Sequence, residues 1–109
     1  MTFSGITDCH ETDKHSIIKF LIYRRIKQLK HKGDIEYNAG DGNIFDAVDW
    51  TTGIVYEPIK PFNINKIIEK TNRYILVSGV KDMIPVDIER YDLTETVQEW
   101  IDRVKEIVA

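Results

Sequence analysis

The sequence predicts an α/β protein in which a central mixed β-sheet is flanked by helices. Apolar residues recur with helical spacing near both ends of the chain. Between these ends lie short apolar runs separated by glycine-containing turn signals, which is typical of strands. A further helical segment follows the third run. A sheet with helices on both faces is the simplest way to bury these stripes, and the predicted order is α-β-β-β-α-β-β-α.

The first predicted helix is amphipathic and strongly basic. Thr12 or Asp13 can cap it, it runs from about Lys14 to Lys32, and Gly33 ends it. Seven lysine and arginine residues, and no acidic residue, lie between Lys14 and Lys32. One stripe of this helix is apolar and the rest is basic. The positions that follow the stripe are Ile18, Leu21, Ile22, Arg25, Ile26 and Leu29.

Three strands are predicted next, joined by two tight turns. The strands span Asp34–Asn38, Asn43–Trp50 and Ile54–Ile59. The glycines of Ala39–Gly42 suit a hairpin loop that needs positive φ, and Thr51–Gly53 suits a short second turn. The three runs therefore predict an antiparallel meander.

The second half of the chain is predicted to add a helix, two strands and a last helix. The helix is short and runs from about Ile64 to Thr71. The continuous apolar run Tyr74–Val77 is typical of a strand that is covered on both faces. Ile84–Tyr91 alternates between apolar and polar residues and predicts a half-exposed strand. Asp92 then begins the last helix, and Glu95 completes a pair that resembles a capping box.

Length and composition indicate one domain of ordinary globular character. The chain has 109 residues and a net charge of −3. Residues 1–13 are predicted to be a flexible N-terminal segment, and residues 14–109 to form a single α/β domain. No apolar run approaches the roughly 20 residues that span a bilayer, so no membrane partner is expected. The single cysteine, Cys9, cannot form an internal disulfide, which indicates a reducing, cytoplasmic location.

The basic helix is a candidate binding surface. Seven positive charges without a balancing acid are unusual, since opposite charges one turn apart normally temper such a face. DNA phosphates and an acidic protein surface are both suitable partners. Simple solvation of an exposed face is the remaining alternative. The residues predicted to contact DNA are Lys14, His15, Lys19, Arg24, Arg25, Lys27 and Lys30.

Three carboxylates stand among the apolar residues of the three strands: Glu36, Asp46 and Glu57. Burying an unpaired carboxylate is costly unless a cation or hydrogen bonds offset the loss of solvation. Carboxylates on consecutive strands therefore predict a metal site, and hard cations such as Mg²⁺ or Mn²⁺ prefer oxygen ligands. The alternative for each is a solvated acid on an exposed strand face. Asp49 is a further candidate in place of Asp46.

This order of elements, with acids on the second and third strands, resembles the core of the PD-(D/E)XK nucleases, the restriction-endonuclease-like superfamily. The resemblance covers residues 14 to about 80. It rests on the acid within Phe45–Val48 and on Val55–Glu57 followed by Lys60. The segment His15–Lys19, followed by basic residues, is similar to small resolvase-like or competence-nuclease-like members of the family.

The resemblance implies a metal-dependent nuclease-like domain that hydrolyses DNA phosphodiesters with Mg²⁺ or Mn²⁺. Asp46 and Glu57 would hold the metal, and Glu36 would be a peripheral ligand. Lys60 would be the catalytic lysine. A homodimer is expected, because one domain of this size offers a small footprint on a duplex.

One departure from the family pattern leaves catalysis open. The family spacing is Glu-x-Lys, which places both side chains on one face of a strand. Here two residues, Pro58 and Ile59, separate Glu57 from Lys60, so that Lys60 points away from Glu57 on a regular strand. A bulge at Pro58 would restore the geometry. Without it, the alternative is a non-catalytic nucleic-acid-binding or protein-interaction module on the same fold.

Overall fold

A computed structural model of the chain describes residues 11–60, 63–77 and 80–108. The predicted α/β class and its mixed sheet are confirmed. The predicted flexible segment lies mostly outside the described residues, and the first helix begins at Glu11. The elements in chain order are α1 (Glu11–Gln28), β1 (Gly33–Gly40), β2 (Asn43–Asp49), β3 (Ile54–Ile59), α2 (Ile64–Val77), β4 (Asp82–Asp87), a 3₁₀ turn (Ile88–Arg90) and α3 (Val97–Ile107).

The four strands form one sheet in the order β1-β2-β3-β4. The first three strands are an antiparallel meander, as their turn signals predict. β4 lies parallel to β3, and α2 provides the connection between them. A parallel pair needs such a crossover, because a tight turn can join only antiparallel strands.

Helices bury both faces of the sheet. On one face, α1 and α3 pack over Ala47 and Tyr56, with Trp100 fully buried between them. On the other face, α2 packs over Phe45 and Val55. None of the helices in the part of the chain that the structure describes is long and apolar enough to cross a bilayer.

The strand predicted at Tyr74–Val77 is wrong, because these residues form the last turn of α2. Tyr74 is buried, whereas Leu76 is 87% exposed, so the run is not covered on both faces. Tyr74 lies seven positions, close to two helical turns, after Ile67, and both face the sheet. One strand, β4, therefore follows α2 instead of two, and the 3₁₀ turn replaces the end of the predicted strand Ile84–Tyr91.

The end of α1 also differs from its prediction. The helix ends at Gln28, and Lys30 adopts the left-handed conformation, with φ 61°. The Lys30 N–H donates to the Lys27 carbonyl at 3.0 Å, and the His31 N–H donates to the Ile26 carbonyl at 3.2 Å. These two bonds form a Schellman motif, which satisfies the last carbonyls of the helix. The predicted stop at Gly33 is therefore wrong, and that glycine begins β1.

The last helix begins later than predicted. α3 starts at Val97, with Thr96 as its N-cap. The Glu99 N–H donates to Thr96 Oγ1 at 3.1 Å, so the capping pair lies four residues beyond the predicted one. The predicted pair closes a separate turn, in which the Asp92 N–H donates to Glu95 Oε1 at 2.9 Å.

Candidate functional site

The candidate site lies where β2 and β3 separate. Their pairing runs from Asp49 and Ile54 to Ala47 and Tyr56, and the next pair in this register is Asp46 with Glu57. The side chains of Asp46 and Glu57 lie within hydrogen-bonding reach of each other. The strand pairing therefore ends just before the position at which each strand carries a carboxylate.

An irregularity in β2 orients Asp46. Ala47 packs in the core beneath α1 and α3, whereas Phe45 packs in the core beneath α2. In a regular strand, residues two apart share one face, so the alternation is broken at Asp46. Glu36 lies opposite on β1 and has φ 53°, which is uncommon for a residue other than glycine. The local distortion turns Asp46 toward both α1 and Glu57.

Glu57 is buried and ion-paired. It is 4% exposed, and Lys70 Nζ from α2 donates to its Oε1 at 2.6 Å. Its other oxygen, Oε2, is buried and accepts no hydrogen bond from a donor group of the described residues. A hydrogen bond between Glu57 and Asp46 needs a proton on one of the two carboxyl groups. An unsatisfied buried acceptor is costly, and it invites a further cation or donor at this point.

The pKa values of the two carboxyl groups are shifted in opposite directions. Burial, and then the charge of Asp46, raise the pKa of Glu57 to about 7, although Lys70 opposes this. Burial also raises the pKa of Asp46, but hydrogen bonds with His15 and Glu57 and the nearby charge of His15 outweigh it and lower the pKa overall. Burial lowers the pKa of Lys70, but its hydrogen bond and charge interaction with Glu57 raise it overall. Burial therefore favours the protonated form of Glu57, whereas the groups around Asp46 favour its ionised form.

Two residues of α1 approach Asp46. His15 Nε2 lies 3.3 Å from Asp46 Oδ2. Lys19, one turn later, donates to Glu36 Oε1 at 2.6 Å. Glu36, predicted as a metal ligand, thus pairs with a lysine and keeps 65% of its side chain exposed, whereas Lys19 keeps only 10%. The structure brings Asp46 and Glu57 together, but Glu36 is paired elsewhere.

Lys60 lies at the rim of the site and is not the cation paired with Glu57. The register of β3 with β4 advances one residue at a time through Pro58, so the bulge that would bring Lys60 into line with Glu57 does not occur between residues 54 and 59. Lys60 follows the end of β3, and its Nζ is 3.8 Å from Glu89 Oε1. Lys70 occupies the position beside Glu57 that the sequence motif suggested for Lys60.

The seven residues predicted to bind DNA do not form one surface. Arg24 lies nine positions after His15, which at about 100° per residue places them on opposite sides of α1. Arg25 Nε donates to the Val108 carbonyl at 3.1 Å. Lys14 is partly buried, whereas Arg24, Lys27 and Lys30 are exposed.

Lys70 is the residue of the candidate site that the sequence did not predict. It lies three residues after Ile67 and four before Tyr74, on the inward side of α2. A lysine at helical spacing from buried residues was the available signal. The prediction placed Tyr74 in a strand and ended the helix at Thr71. The helical spacing between Lys70 and Tyr74 therefore gave no signal.

Asp49, the alternative to Asp46, has a structural role. Its side chain is 1% exposed, and its Oδ2 lies 2.7 Å from His31 Nδ1. Its Oδ1 accepts from the backbone N–H groups of Thr51 at 2.9 Å and Thr52 at 3.1 Å. Asp49 therefore closes the turn between β2 and β3 and lies outside the cleft.

A cleft of about 440 Å³ surrounds the paired carboxylates. Mg²⁺ is usually held by one or two carboxylates and keeps most of its waters. No group of three or more His, Cys, Asp or Glu side chains that could hold a metal occurs within residues 11–60, 63–77 and 80–108. Asp46 and the unsatisfied oxygen of Glu57 suit a cation that needs only two protein ligands. The ionisable residues that line the cleft are His15, Asp46, Glu57, Lys60 and Lys70.

A second cavity, of about 470 Å³, lies beside β4 and α3. Arg103 lines it, but its guanidinium already pairs with Glu95, Nη1 lying 2.8 Å from Oε1. Tyr91 also lines it, and burial raises the pKa of Tyr91 to about 12. This cavity is slightly larger than the cleft but lacks a carboxylate pair facing a lysine, so the cleft is the better candidate for chemistry.

Comparisons with protein-family models, curated proteins and solved structures gave no match to this chain. Function must therefore be inferred from the residues of the cleft.

Proposed function

We propose that the chain is a small metal-dependent nuclease-like domain that hydrolyses DNA phosphodiesters. The observation that carries this proposal is the meeting of Asp46 and Glu57 at the divergence of β2 and β3, with Lys70 Nζ 2.6 Å from Glu57. Two carboxylates and a lysine in one cleft also fit the PD-(D/E)XK resemblance, with the lysine supplied by α2 instead of β3.

The proposed cofactor is Mg²⁺ or Mn²⁺, held by Asp46 and Glu57. When bound, such a cation polarises a phosphate oxygen and lowers the pKa of a water. Lys70 provides a positive charge at the cleft wall, where it stabilises the charge that develops on the phosphate. Its flexible, partly exposed side chain allows the ammonium to move from Glu57 to a phosphate oxygen.

His15 is proposed to position Asp46. Its Nε2 lies 3.3 Å from Oδ2, and this interaction helps to lower the pKa of Asp46. An ionised Asp46 is needed for cation binding, because only the charged carboxylate is a strong ligand. His15 is therefore a positioning residue in this proposal.

Cation-dependent cleavage of duplex and single-stranded DNA tests the proposed function. Asp46→Asn and Glu57→Gln are each expected to abolish cleavage in Mg²⁺ and Mn²⁺, because each removes a charged ligand. Adding Mn²⁺ is expected to raise the Tm of the wild-type protein but not that of Asp46→Asn. Glu89→Gln is the control, since it removes an exposed carboxylate near Lys60. Cleavage by Asp46→Asn at the wild-type rate would remove the proposal.

A non-catalytic nucleic-acid-binding or protein-interaction module is the second candidate. The ion pair between Glu57 and Lys70 favours it, since Glu57 already has a counter-ion without a metal. The two candidates separate in a calorimetric titration with Mn²⁺. A non-catalytic module is expected to bind DNA without Asp46-dependent cation binding.

A homodimer in the cytoplasm completes the proposed function. Ile64, Ile68 and Ile75 are 63%, 54% and 42% exposed and form an apolar flank of α2. At about 100° per residue this flank points away from Lys66 and Lys70, so a two-fold contact through it would leave both clefts open. Ile68→Glu is expected to convert dimer to monomer in sedimentation equilibrium, with Glu69→Gln as the control. A wild-type protein that sediments as a monomer at all concentrations would contradict this.

A further inference from the structure

Three cations lie in a row along α2. Lys66, Lys70 and Arg73 are spaced four and three residues apart, which at about 100° per residue keeps them within about 60° of one another. Ile67 and Tyr74 on the adjacent face pack against the sheet and fix the rotation of the helix. The row is therefore a fixed feature of how α2 sits on the sheet.

The row is continuous with the cleft. Lys70 lines the cleft together with Asp46 and Glu57. A neighbouring depression of about 230 Å³ is lined by Lys60, Lys66 and Lys70. A further one, of about 280 Å³, is lined by Lys66, Lys70, Arg73 and one acid, Glu69. The α2 basic strip, defined as Lys66, Lys70 and Arg73, thus extends from the carboxylates along one side of the molecule.

The α2 basic strip is better suited to phosphate contacts than α1. Lys66 and Arg73 are exposed, and neither forms an ion pair with any residue that the structure describes. On α1, by contrast, Lys19 is paired with Glu36 and Arg24 lies opposite the side that faces the cleft. Free cations next to the carboxylates attract a polyanion to the place where the proposed chemistry occurs.

We propose that the phosphate backbone of a DNA strand runs along the α2 basic strip and enters the cleft at Lys70. At about 1.5 Å per residue, Lys66 and Arg73 are about 10 Å apart along α2, a distance that neighbouring phosphates of one strand can span. Phosphate contacts of this kind position the strand and carry no sequence preference. The chemistry at the end of this path rests on the proposed function, but the binding itself does not.

Two double variants that remove equal charge test the path. Lys66→Gln with Arg73→Gln removes two cations from the strip, and Arg24→Gln with Lys27→Gln removes two from the outer side of α1. The binding of a fluorescent duplex and of a single strand is measured by anisotropy between 50 and 200 mM salt, without divalent cations. The α2 variant is expected to reduce the salt slope by about 2 and to bind at least about tenfold more weakly at low salt.

The α1 variant is expected to bind like the wild type, and the Tm of both variants checks that they fold. An α2 variant that binds like the wild type, or a wild type without affinity at 50 mM salt, overturns the proposed path. Cleavage is measured separately on the same proteins. Loss of binding in the α2 variant, without any cleavage by the wild type, supports the path and removes the nuclease proposal. If the wild type cleaves DNA and the α2 substitutions do not change DNA binding, the nuclease proposal is supported and the proposed path is removed.

Discussion

Lys70→Met is expected to reduce cation-dependent DNA cleavage by about 100- to 1,000-fold, the usual effect of removing one group that stabilises transition-state charge. Lys60→Met is the matched control, because both lysines line the same cleft and the substitution is the same. Lys60 lies at the rim, 3.8 Å from Glu89, so its loss is expected to leave the rate near that of the wild type. Initial rates on a labelled duplex at saturating Mg²⁺ measure both effects.

The same substitution is expected to destabilise the fold. It leaves Glu57 buried without its counter-ion, and breaking such a pair typically costs about 3–5 kcal/mol. Because 33% of the Lys70 side chain is exposed, the expected loss at pH 8 is nearer to about 2 kcal/mol. Urea unfolding measures it.

A double variant separates folding from catalysis. Glu57→Gln combined with Lys70→Met is expected to recover most of the lost stability, since neither charge remains, but no cleavage. If Lys60→Met is inactive and Lys70→Met cuts normally, the spacing after Glu57 identified the correct lysine, and the ion pair with Lys70 is only structural.

The meander and its carboxylates were predictable because their signals are local. Strand Ile54–Ile59 has the bounds that its apolar run and flanking turn predicted. Turn chemistry fixes the register of consecutive hairpins, so the facing positions of Asp46 and Glu57 followed from short-range rules. The broken alternation that turns Asp46 toward Glu57 did not follow from these rules. Their burial and their shifted pKa values required the structure, because these depend on how α1 and α2 cover the sheet.

The cation beside Glu57 was not predictable by the same rules. A run of four apolar residues such as Tyr74–Val77 fits a buried strand or the end of a helix equally well. Thirteen residues separate Glu57 from Lys70, and their contact depends on how α2 packs across the sheet. The arrangement of the α1 cations was not predictable from their number, since a count of charges along a helix ignores which side each one occupies.

Glu57→Gln is expected to stabilise the protein at pH 8 and to have little effect at pH 4.5. The pKa of Glu57 is raised from 4.5 to about 7 in the folded protein, by burial first and the charge of Asp46 second. Between these pH values the folded state binds more protons than the unfolded chain, so stability falls as the pH rises through this window. At about 1.4 kcal/mol per pH unit, the ionised carboxylate costs the fold about 3 kcal/mol above pH 7.

Glutamine keeps the shape of the side chain but cannot ionise, so the variant escapes this loss. Urea unfolding at pH 4.5 and pH 8 measures this gap, which is the difference in free energy of unfolding between Glu57→Gln and the wild type. The control is Glu89→Gln, at an exposed carboxylate, which is expected to shift stability by less than about 0.5 kcal/mol at either pH. Mn²⁺ at pH 8 is expected to narrow the gap by stabilising the wild type alone. An ionised carboxylate that destabilises the folded protein at neutral pH is expected where it is a ligand of a bound cation. If the variant and the wild type are equally stable at pH 8, the ion pair with Lys70 is enough to stabilise the ionised Glu57. A bound cation is then not needed to offset its burial.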